Sequence, residues 1–162
     1  RYLFHSLSST RAAREFSLLA KLQELGLAAP KPVAYRVVRH GRFYQADLLT
    51  VRIEEAKDLV AMLTQQAITE AFWHKIGATI RQFHDKGIYH HDLNAHNILL
   101  DNEQQVWLID FDRGEQRKVS SSWQESNMSR LLRSFRKEKK KLAQFHWQEE
   151  HWQMLMSGYQ GQ

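Results

Sequence analysis

The sequence predicts an α+β fold in which a small, strand-rich part precedes a mostly helical part. Two patterns support this prediction: apolar residues that recur at helical spacing, and short β-prone runs joined in pairs by polar turns. We expect helices at 10–26, 69–85, 124–145 and 147–159, and strand pairs at 33–38 with 43–53 and at 98–100 with 106–109. A chain of 162 residues is long enough for one domain with a real core.

The first predicted helix, at 10–26, precedes the strands of the strand-rich part. Thr10 is a plausible N-cap because its hydroxyl can accept a backbone hydrogen bond, and Gly26 suits the position just after a helix end. Pro30 and Pro32 then favour an extended chain. The two strands that follow are separated by a glycine-containing turn, so they predict a hairpin.

The helical part contains a well-patterned helix at 69–85, with Thr69 as a possible N-cap. Gly77 lies inside this helix, where glycine costs about 1 kcal/mol relative to alanine. It therefore predicts close packing against a neighbour. His84 lies near the helix end, where we expect a histidine favoured by the helix dipole rather than a catalytic one.

The second strand pair carries polar residues at its open end. Antiparallel pairing would bring Asn97 and Asp110 to the same end of the hairpin, and Asp92 lies on the loop that leads into it. Magnesium prefers oxygen ligands, which an Asn amide and an Asp carboxylate supply. A further carboxylate, free of metal, can orient an attacking hydroxyl and accept its proton. These residues therefore predict phosphoryl transfer.

The same residues follow the motif order of protein kinases, H-R-D-x-x-x-x-N and then D-F-G. Residues 90–97 read HHDLNAHN and residues 110–112 read DFD. The Asp-to-Asn interval is the same, whereas His91 replaces the Arg of the motif and Asp112 replaces the Gly. We expect His90 to pack against the loop of residues 90–97, here named the catalytic loop after the kinase motif, and to hydrogen-bond it.

The runs HHDLNAHNILL and WLIDFDRGE, with the upstream segment PKPVAY, closely resemble the 3-deoxy-D-manno-octulosonic acid (Kdo) kinase family of lipopolysaccharide core assembly. The resemblance extends over most of the chain and is most specific over 84–115. It implies a protein-kinase-like fold, with a truncated small N-lobe at 1–57 and a mostly helical C-lobe with the catalytic hairpin at 58–162. By the same analogy, 54–57 would be the hinge beside the adenine.

The resemblance also implies an ATP-dependent carbohydrate kinase that uses Mg²⁺ and phosphorylates a Kdo hydroxyl on a Kdo-lipid A precursor. Asp92 would be the catalytic base, and Asn97 and Asp110 would bind the nucleotide through the metal. Glu15 would replace the kinase helix glutamate, whose lysine partner grips the nucleotide phosphates. Asp112 would add a metal or loop contact. No nucleic-acid partner is expected.

The lysine partner of Glu15 is not found where kinases carry it. In kinases, this lysine and a glycine-rich loop precede the helix. The fourteen residues before Glu15 contain neither lysine nor glycine. We therefore expect the first strands of the small lobe to lie outside this sequence, as they would if the chain is a fragment.

The composition favours anionic partners, because the formal net charge is +5. The absence of cysteine excludes disulfides and zinc–thiolate sites, and no apolar run approaches the roughly 20 residues of a membrane span. The helix at 124–145 is basic and amphipathic, so its charges either contact an anionic membrane or are simply solvated. The expected location is peripheral, on the cytoplasmic face of the bacterial inner membrane.

Three other functions stay open at this point. His90, His91 and His96 would suit a zinc hydrolase, although no second histidine pair at helical spacing accompanies them. A kinase-like chain without its lysine would suit a pseudoenzyme that only binds. The Asp–Asn–Asp pattern is also shared with small-molecule phosphotransferases of the aminoglycoside and choline kinase kinds.

Overall fold

The structure, a computed structural model, describes residues 2–3, 6 and 10–162. The predicted small lobe at 1–57 therefore begins partly outside the described residues. The described strands are β1 Tyr2–Leu3, β2 Pro32–His40, β3 Phe43–Thr50, β4 Lys57–Asp58, β5 Ile88–Tyr89, β6 Ile98–Leu100, β7 Val106–Leu108 and β8 Glu115–Gln116. The described α-helices are α1 Arg11–Glu24, α2 Leu59–Gln65, α3 Glu70–Asp85, α4 Ser121–Lys141 and α5 Glu149–Gln160.

The strand-rich part is an antiparallel sheet in the order β1-β3-β2, with α1 packed against it. The predicted hairpin of β2 and β3 is confirmed. The second strand ends at Thr50 rather than at 53, however, because its last partner is Pro32, where β2 begins. Pro30 precedes this strand by two residues. Because a proline has no backbone N–H to donate, it does not support an extension of the β2–β3 pairing in that direction.

Both predicted ends of α1 are confirmed. The Thr10 hydroxyl accepts a hydrogen bond from the Ala13 N–H at 3.4 Å, and Gly26 has φ +66°, a left-handed conformation that glycine adopts without strain. Thr69 stands at the N-cap position of α3, but its side chain makes no capping hydrogen bond.

The helices α3 and α5 pack closely through two glycines. A Cβ atom at Gly77 would overlap the Leu155 carbonyl oxygen, and a Cβ at Gly158 would overlap the backbone of His74. The packing that Gly77 predicted is thus confirmed, and the reason is that the backbones of the two helices approach each other too closely for any side chain there.

The last two helices have different bounds from those expected. Helix α4 runs over 121–141 instead of 124–145, because the chain becomes extended at Leu142. Phe145 and Trp147 reach the core from the extended segment, where Trp147 stacks on Phe135 with ring centroids 5.5 Å apart. Helix α5 begins at Glu149 instead of 147.

The expectation for His84 is wrong. This side chain is buried at the end of α3, and its ring Nδ1 lies 2.7 Å from the Tyr159 hydroxyl. Burial lowers the pKa of His84 to about 4, which outweighs the opposing effect of the nearby Asn127 amide. His84 is therefore neutral at pH 7, so the helix dipole has no charge on this ring to stabilise.

One hydrophobic cluster joins the helices to the β6–β7 hairpin, including Trp73, Phe83, Phe111 and Phe135. The hairpin is thus embedded in the helical part, and its open end is held in place by the core. None of the helices in the described ranges has the length and apolar character needed to cross a bilayer.

Candidate active site

The β6–β7 hairpin brings Asn97 and Asp110 to the same end, as predicted. Ile98 pairs with Leu108, and the next pair is closed by a hydrogen bond of 3.0 Å from the Ile109 N–H to the Asn97 carbonyl. Asp110 follows directly with φ +62°, a left-handed conformation that is uncommon for a residue with a side chain. The strand therefore ends in a sharp turn at this carboxylate.

His90 ties the catalytic loop to this strand end, in the role predicted for it. Its Nε2 donates to the Ile109 carbonyl at 2.9 Å, and its Nδ1 accepts from the Asp92 N–H at 3.2 Å. Only a neutral ring with the proton on Nε2 can do both. Burial lowers the pKa of His90, which favours this neutral form, and the ring packs against Phe111.

The Asn97 amide group is oriented by the same loop. Its Nδ2 donates to the Asp92 carbonyl at 3.0 Å, and the residue is only 8% exposed. The side-chain oxygen is then the atom left to act as a ligand, which is the end of the amide that a hard cation binds. The residue thus fits the metal role that its spacing predicted.

The Asp92 carboxylate is open to solvent. Its Oδ2 accepts from Asn94 Nδ2 at 3.1 Å, and its Oδ1 lies 3.9 Å from Arg130 Nη1. Asp92 lines a cavity of about 280 Å³, here named the Asp92 cavity. The other residues of this cavity are charged or ionisable: His91, Asp110, Asp112, Arg113 and Arg130.

Helix α4 braces the catalytic loop from outside, which the sequence analysis missed. The His90 N–H donates to Asn127 Oδ1 at 3.3 Å, and the Ala95 N–H donates to Ser134 Oγ at 3.0 Å. Asn127 and Ser134 lie seven residues apart, so they share one face of the helix. The sequence signal for this contact was the pair of small polar residues at this spacing, next to the apolar stripe of the helix.

Glu15 and Asp110 line a second cavity of about 520 Å³, here named the α1–hairpin cleft. Burial raises the pKa of Glu15, and the nearby Asp110 raises it further, while Arg11 opposes both. Within the described part of the chain, no lysine pairs with Glu15. The two acidic residues that were predicted to bind nucleotide therefore meet in one cleft.

The predicted hinge at 54–57 is displaced. The α1–hairpin cleft is lined by residues 51–53 and by Ala56. Glu55 instead turns to the other side, with φ +51°, where its carboxylate accepts from Asn102 Nδ2 at 2.8 Å. The chain therefore reaches the cleft before the predicted hinge, since the end of β3 at Thr50 and residues 51–53 already line it.

Asp112, which replaces the motif glycine, pairs with Arg11. Arg11 Nε donates to Asp112 Oδ1 at 2.8 Å, and a second guanidinium nitrogen contacts the other carboxylate oxygen. This two-point contact joins α1 to the loop after β7 and places Glu15, one turn further along, beside Asp110. Of the two contacts expected for Asp112, a metal contact or a loop contact, the structure shows a contact that fixes the loop, made through an ion pair.

Within the described ranges, no zinc-type cluster accompanies these residues. Among the residues that the structure describes, no three His, Asp or Glu side chains are grouped so that they could hold a metal ion. A site made of Asn97 and Asp110 has two protein ligands, which suits Mg²⁺ because this ion retains water and takes further oxygens from substrate phosphates.

Comparison with known proteins gives a family match over nearly the whole chain. The model of the "Lipopolysaccharide kinase (Kdo/WaaP) family" matches residues 1–159. Proteins named 3-deoxy-D-manno-octulosonic acid kinase are similar to this chain. The one from Vibrio vulnificus (strain YJ016) is 43% identical over 99% of this chain and 67% of its own length. Those from Photobacterium profundum and Pasteurella multocida (strain Pm70) are 45% and 46% identical, each over 98% of this chain and over 66% and 67% of their own lengths. The chain spans about two-thirds of the length of these relatives.

A solved structure supports the fold. The kinase PK-1 of the Cydia pomonella granulovirus matches with a TM-score of 0.50 at 19% identity, over 67% of this chain and 40% of that one. At this identity the likeness concerns the fold alone. It confirms the predicted kinase-like α+β fold.

Proposed function

The chain belongs to the lipopolysaccharide kinase (Kdo/WaaP) family, and from this premise we propose that it transfers the γ-phosphoryl group of ATP to a hydroxyl of a Kdo sugar on a Kdo-lipid A precursor. The family is one of kinases, and the similar proteins are named for a sugar acid. The observation that supports this reaction best is the meeting of Asp92, Asn97 and Asp110 at the open end of one hairpin.

In the proposed reaction, the Asp92 carboxylate holds the attacking hydroxyl and accepts its proton. The hydroxyl oxygen forms a bond to the γ-phosphorus as the bond from that phosphorus to the bridging oxygen of ADP breaks. Asp92 then releases the proton to water. The hydrogen bonds of His90 and Asn97 to the Asp92 backbone hold the loop in position for this step.

Asn97 and Asp110 would hold Mg²⁺, because both present oxygen atoms at the hairpin end and the Asn97 amide nitrogen is already engaged. When bound, Mg²⁺ neutralises charge on the nucleotide phosphates. Glu15 lies in the same α1–hairpin cleft, where it would help to bind the nucleotide through a cationic partner.

An acceptor panel tests the function. The full-length protein is incubated with labelled ATP, Mg²⁺ and, in turn, a Kdo-lipid A precursor, an aminoglycoside and choline. We expect label on the Kdo acceptor alone. Label on choline or the aminoglycoside instead would establish the small-molecule phosphotransferase. Nucleotide binding without transfer to any acceptor would establish a pseudoenzyme.

We further propose that the protein works peripherally at the cytoplasmic face of the bacterial inner membrane, where a lipid acceptor would lie. Helix α4 carries on its solvent side five cations that line one shallow region, here named the basic surface: Arg133, Arg136, Lys137, Lys140 and Lys141. A cation near an anionic membrane contributes about 1 kcal/mol of binding. Arg136 is paired with Glu149 at 2.9 Å and Lys141 Nζ lies 3.8 Å from a Glu138 carboxylate oxygen, so Arg133, Lys137 and Lys140 carry most of this attraction.

Sedimentation with anionic vesicles tests this location. Replacing Lys137, Lys140 and Lys141 with Gln should reduce binding by up to about 100-fold, since three charges worth at most about 1 kcal/mol each are removed. Lys139 is left intact because its Nζ donates to the Phe145 carbonyl at 3.1 Å. A control removes three lysines elsewhere, Lys75, Lys86 and Lys118. Equal binding of both triple variants, or equal binding to neutral vesicles, would contradict the proposal.

A further inference from the structure

Two arginines of the Asp92 cavity, Arg113 and Arg130, have no part in the reaction described above. Arg130 Nη1 is 3.9 Å from Asp92 Oδ1, too far for a hydrogen bond, and its Nε is buried without any acceptor among the described residues. Arg113 has φ +58° in the turn after the DFD run, and no described residue pairs with it. A guanidinium has five N–H donors, so both side chains can take an anionic ligand.

Arg130 is held in place by its helix. It lies three residues after Asn127 and four before Ser134, the two residues whose side chains bind the catalytic-loop backbone. Arg130 therefore shares the loop-facing side of α4 and is directed at the loop. This arrangement separates it from the basic surface, whose members lie further along the helix and line a different region.

We propose that Arg130, together with Arg113, binds the carboxylate of the acceptor sugar and so orients its hydroxyl toward Asp92. This inference rests on the proposed function, because an octulosonic acid carries a carboxylate at neutral pH. An arginine fork binds a carboxylate through two parallel hydrogen bonds. Arg130 and Asp92 are neighbours. A sugar carboxylate bound to Arg130 and a sugar hydroxyl bound to Asp92 would therefore be separated by little more than one sugar ring.

The position of the arginines favours the acceptor over the nucleotide. The α1–hairpin cleft is lined by Glu15 and Asp110 but by neither arginine. Among the described residues, Asp110 alone lines both that cleft and the Asp92 cavity. The nucleotide and the acceptor would thus approach Asp110 from different sides.

The test compares two acceptors in neutral detergent with the full-length protein: the Kdo-lipid A precursor, and the same molecule with the Kdo carboxylate converted to a primary amide. Arg130→Gln should lower kcat/KM for the acid about 10- to 100-fold, as expected for lost hydrogen bonds to a charged group, and should leave the KM for ATP unchanged. The wild-type protein should lose a similar factor on the amide. With the amide acceptor, Arg130→Gln should lower kcat/KM less than about threefold relative to the wild type, because the carboxylate that the arginine binds is already absent.

Two further variants keep the result interpretable. Arg130→Lys keeps the charge but not the fork, so it should fall between the wild type and Arg130→Gln on the acid. Arg81→Gln removes an exposed helix arginine outside the cavity and should behave like the wild type. Thermal unfolding of each variant separates a folding defect from a binding defect.

The outcomes distinguish the two proposals. If Arg130→Gln loses the same factor on acid and amide, Arg130 acts on the phosphoryl group or on Asp92, and the carboxylate site is overturned while the kinase function stands. If the wild-type protein does not phosphorylate the Kdo acceptor, the proposed function is overturned, and the carboxylate site with it.

Discussion

The hairpin with its catalytic loop on one side of the candidate site and α1 on the other differ in how their polar groups are paired. On the hairpin side, both ring nitrogens of His90 and the amide nitrogen of Asn97 form hydrogen bonds with the backbone. On the α1 side, Glu15 is half-buried beside another carboxylate, and among the described residues it has no lysine partner. The catalytic loop is therefore assembled by local contacts, whereas on the α1 side the described residues supply no lysine to Glu15. The Arg11–Asp112 pair is a polar contact between the two sides, in addition to the apolar core that α1 and the hairpin share.

The largest expected effect is on the catalytic-loop side. Asp92→Ala should lower kcat about 10²- to 10⁴-fold, which is the range for loss of general-base assistance. Nucleotide affinity should stay within about threefold, because Asp92 does not line the α1–hairpin cleft. Steady-state kinetics with the Kdo acceptor and nucleotide calorimetry provide the two measurements, and Asp47→Ala on the exposed strand β3 is the control. Near-normal turnover would remove Asp92 from the mechanism.

The second prediction concerns acid sensitivity of the helical part. His84 has a pKa of about 4 in the folded state against 6.5 as the ordinary value, so it stabilises the fold fully above pH 6.5 and loses that stability as the pH falls toward 4. Between pH 7 and pH 5, this residue alone should cost about 2 kcal/mol of unfolding free energy. Urea unfolding at the two pH values measures it.

His84→Gln should reduce this pH dependence, since glutamine does not titrate. His40→Gln, an exposed histidine on β2, should leave it unchanged. The pKa of His90 is lowered in the same direction, so some acid sensitivity should persist in His84→Gln. A flat stability profile in the wild-type protein between pH 7 and pH 5 would contradict the burial of both rings.

Asp110→Asn should weaken the Mg²⁺ dependence of ATP binding. We expect the affinity for Mg²⁺ to fall at least about tenfold, since this is the loss seen even when a residue that only hydrogen-bonds a metal ligand is replaced. Asp112→Asn makes the same chemical change two residues later, where the carboxylate is already paired with Arg11. It should leave the Mg²⁺ dependence close to that of the wild type. Calorimetric titration of ATP at several Mg²⁺ concentrations separates the two, and equal behaviour would show that Asp110 is not a ligand.

The smallest expected effect is on the α1 side. Because the pKa of Glu15 is raised, its ionisation disfavours the folded state, and stability should fall as the pH rises from about 4.5 through the raised pKa. Glu15→Gln should therefore unfold at a higher temperature than the wild type at pH 7 but not at pH 4. The difference should stay below about 1 kcal/mol because the carboxylate is partly solvated. A less stable variant at pH 7 would mean that Glu15 is already paired with a cation.

Much of the catalytic side could be predicted because it depends on contacts between residues close in the sequence. The Asp92-to-Asn97 interval and the short turn of the β6–β7 hairpin bring Asn97 and Asp110 together whatever packs around them. The N-cap Thr10 and the packing glycine Gly77 were likewise visible, since each depends on a preference of the residue itself.

The remaining features were decided by tertiary structure, because they join residues far apart in the chain. No local pattern pairs Arg11 with Asp112, or places Arg130 beside Asp92. The end of α4 at Lys141 was missed because Phe145 fits the helical pattern but is buried from an extended segment. The charge state of His84 could also be found only from the fold. A helix end exposed to water would favour the protonated ring, whereas burial here favours the neutral ring.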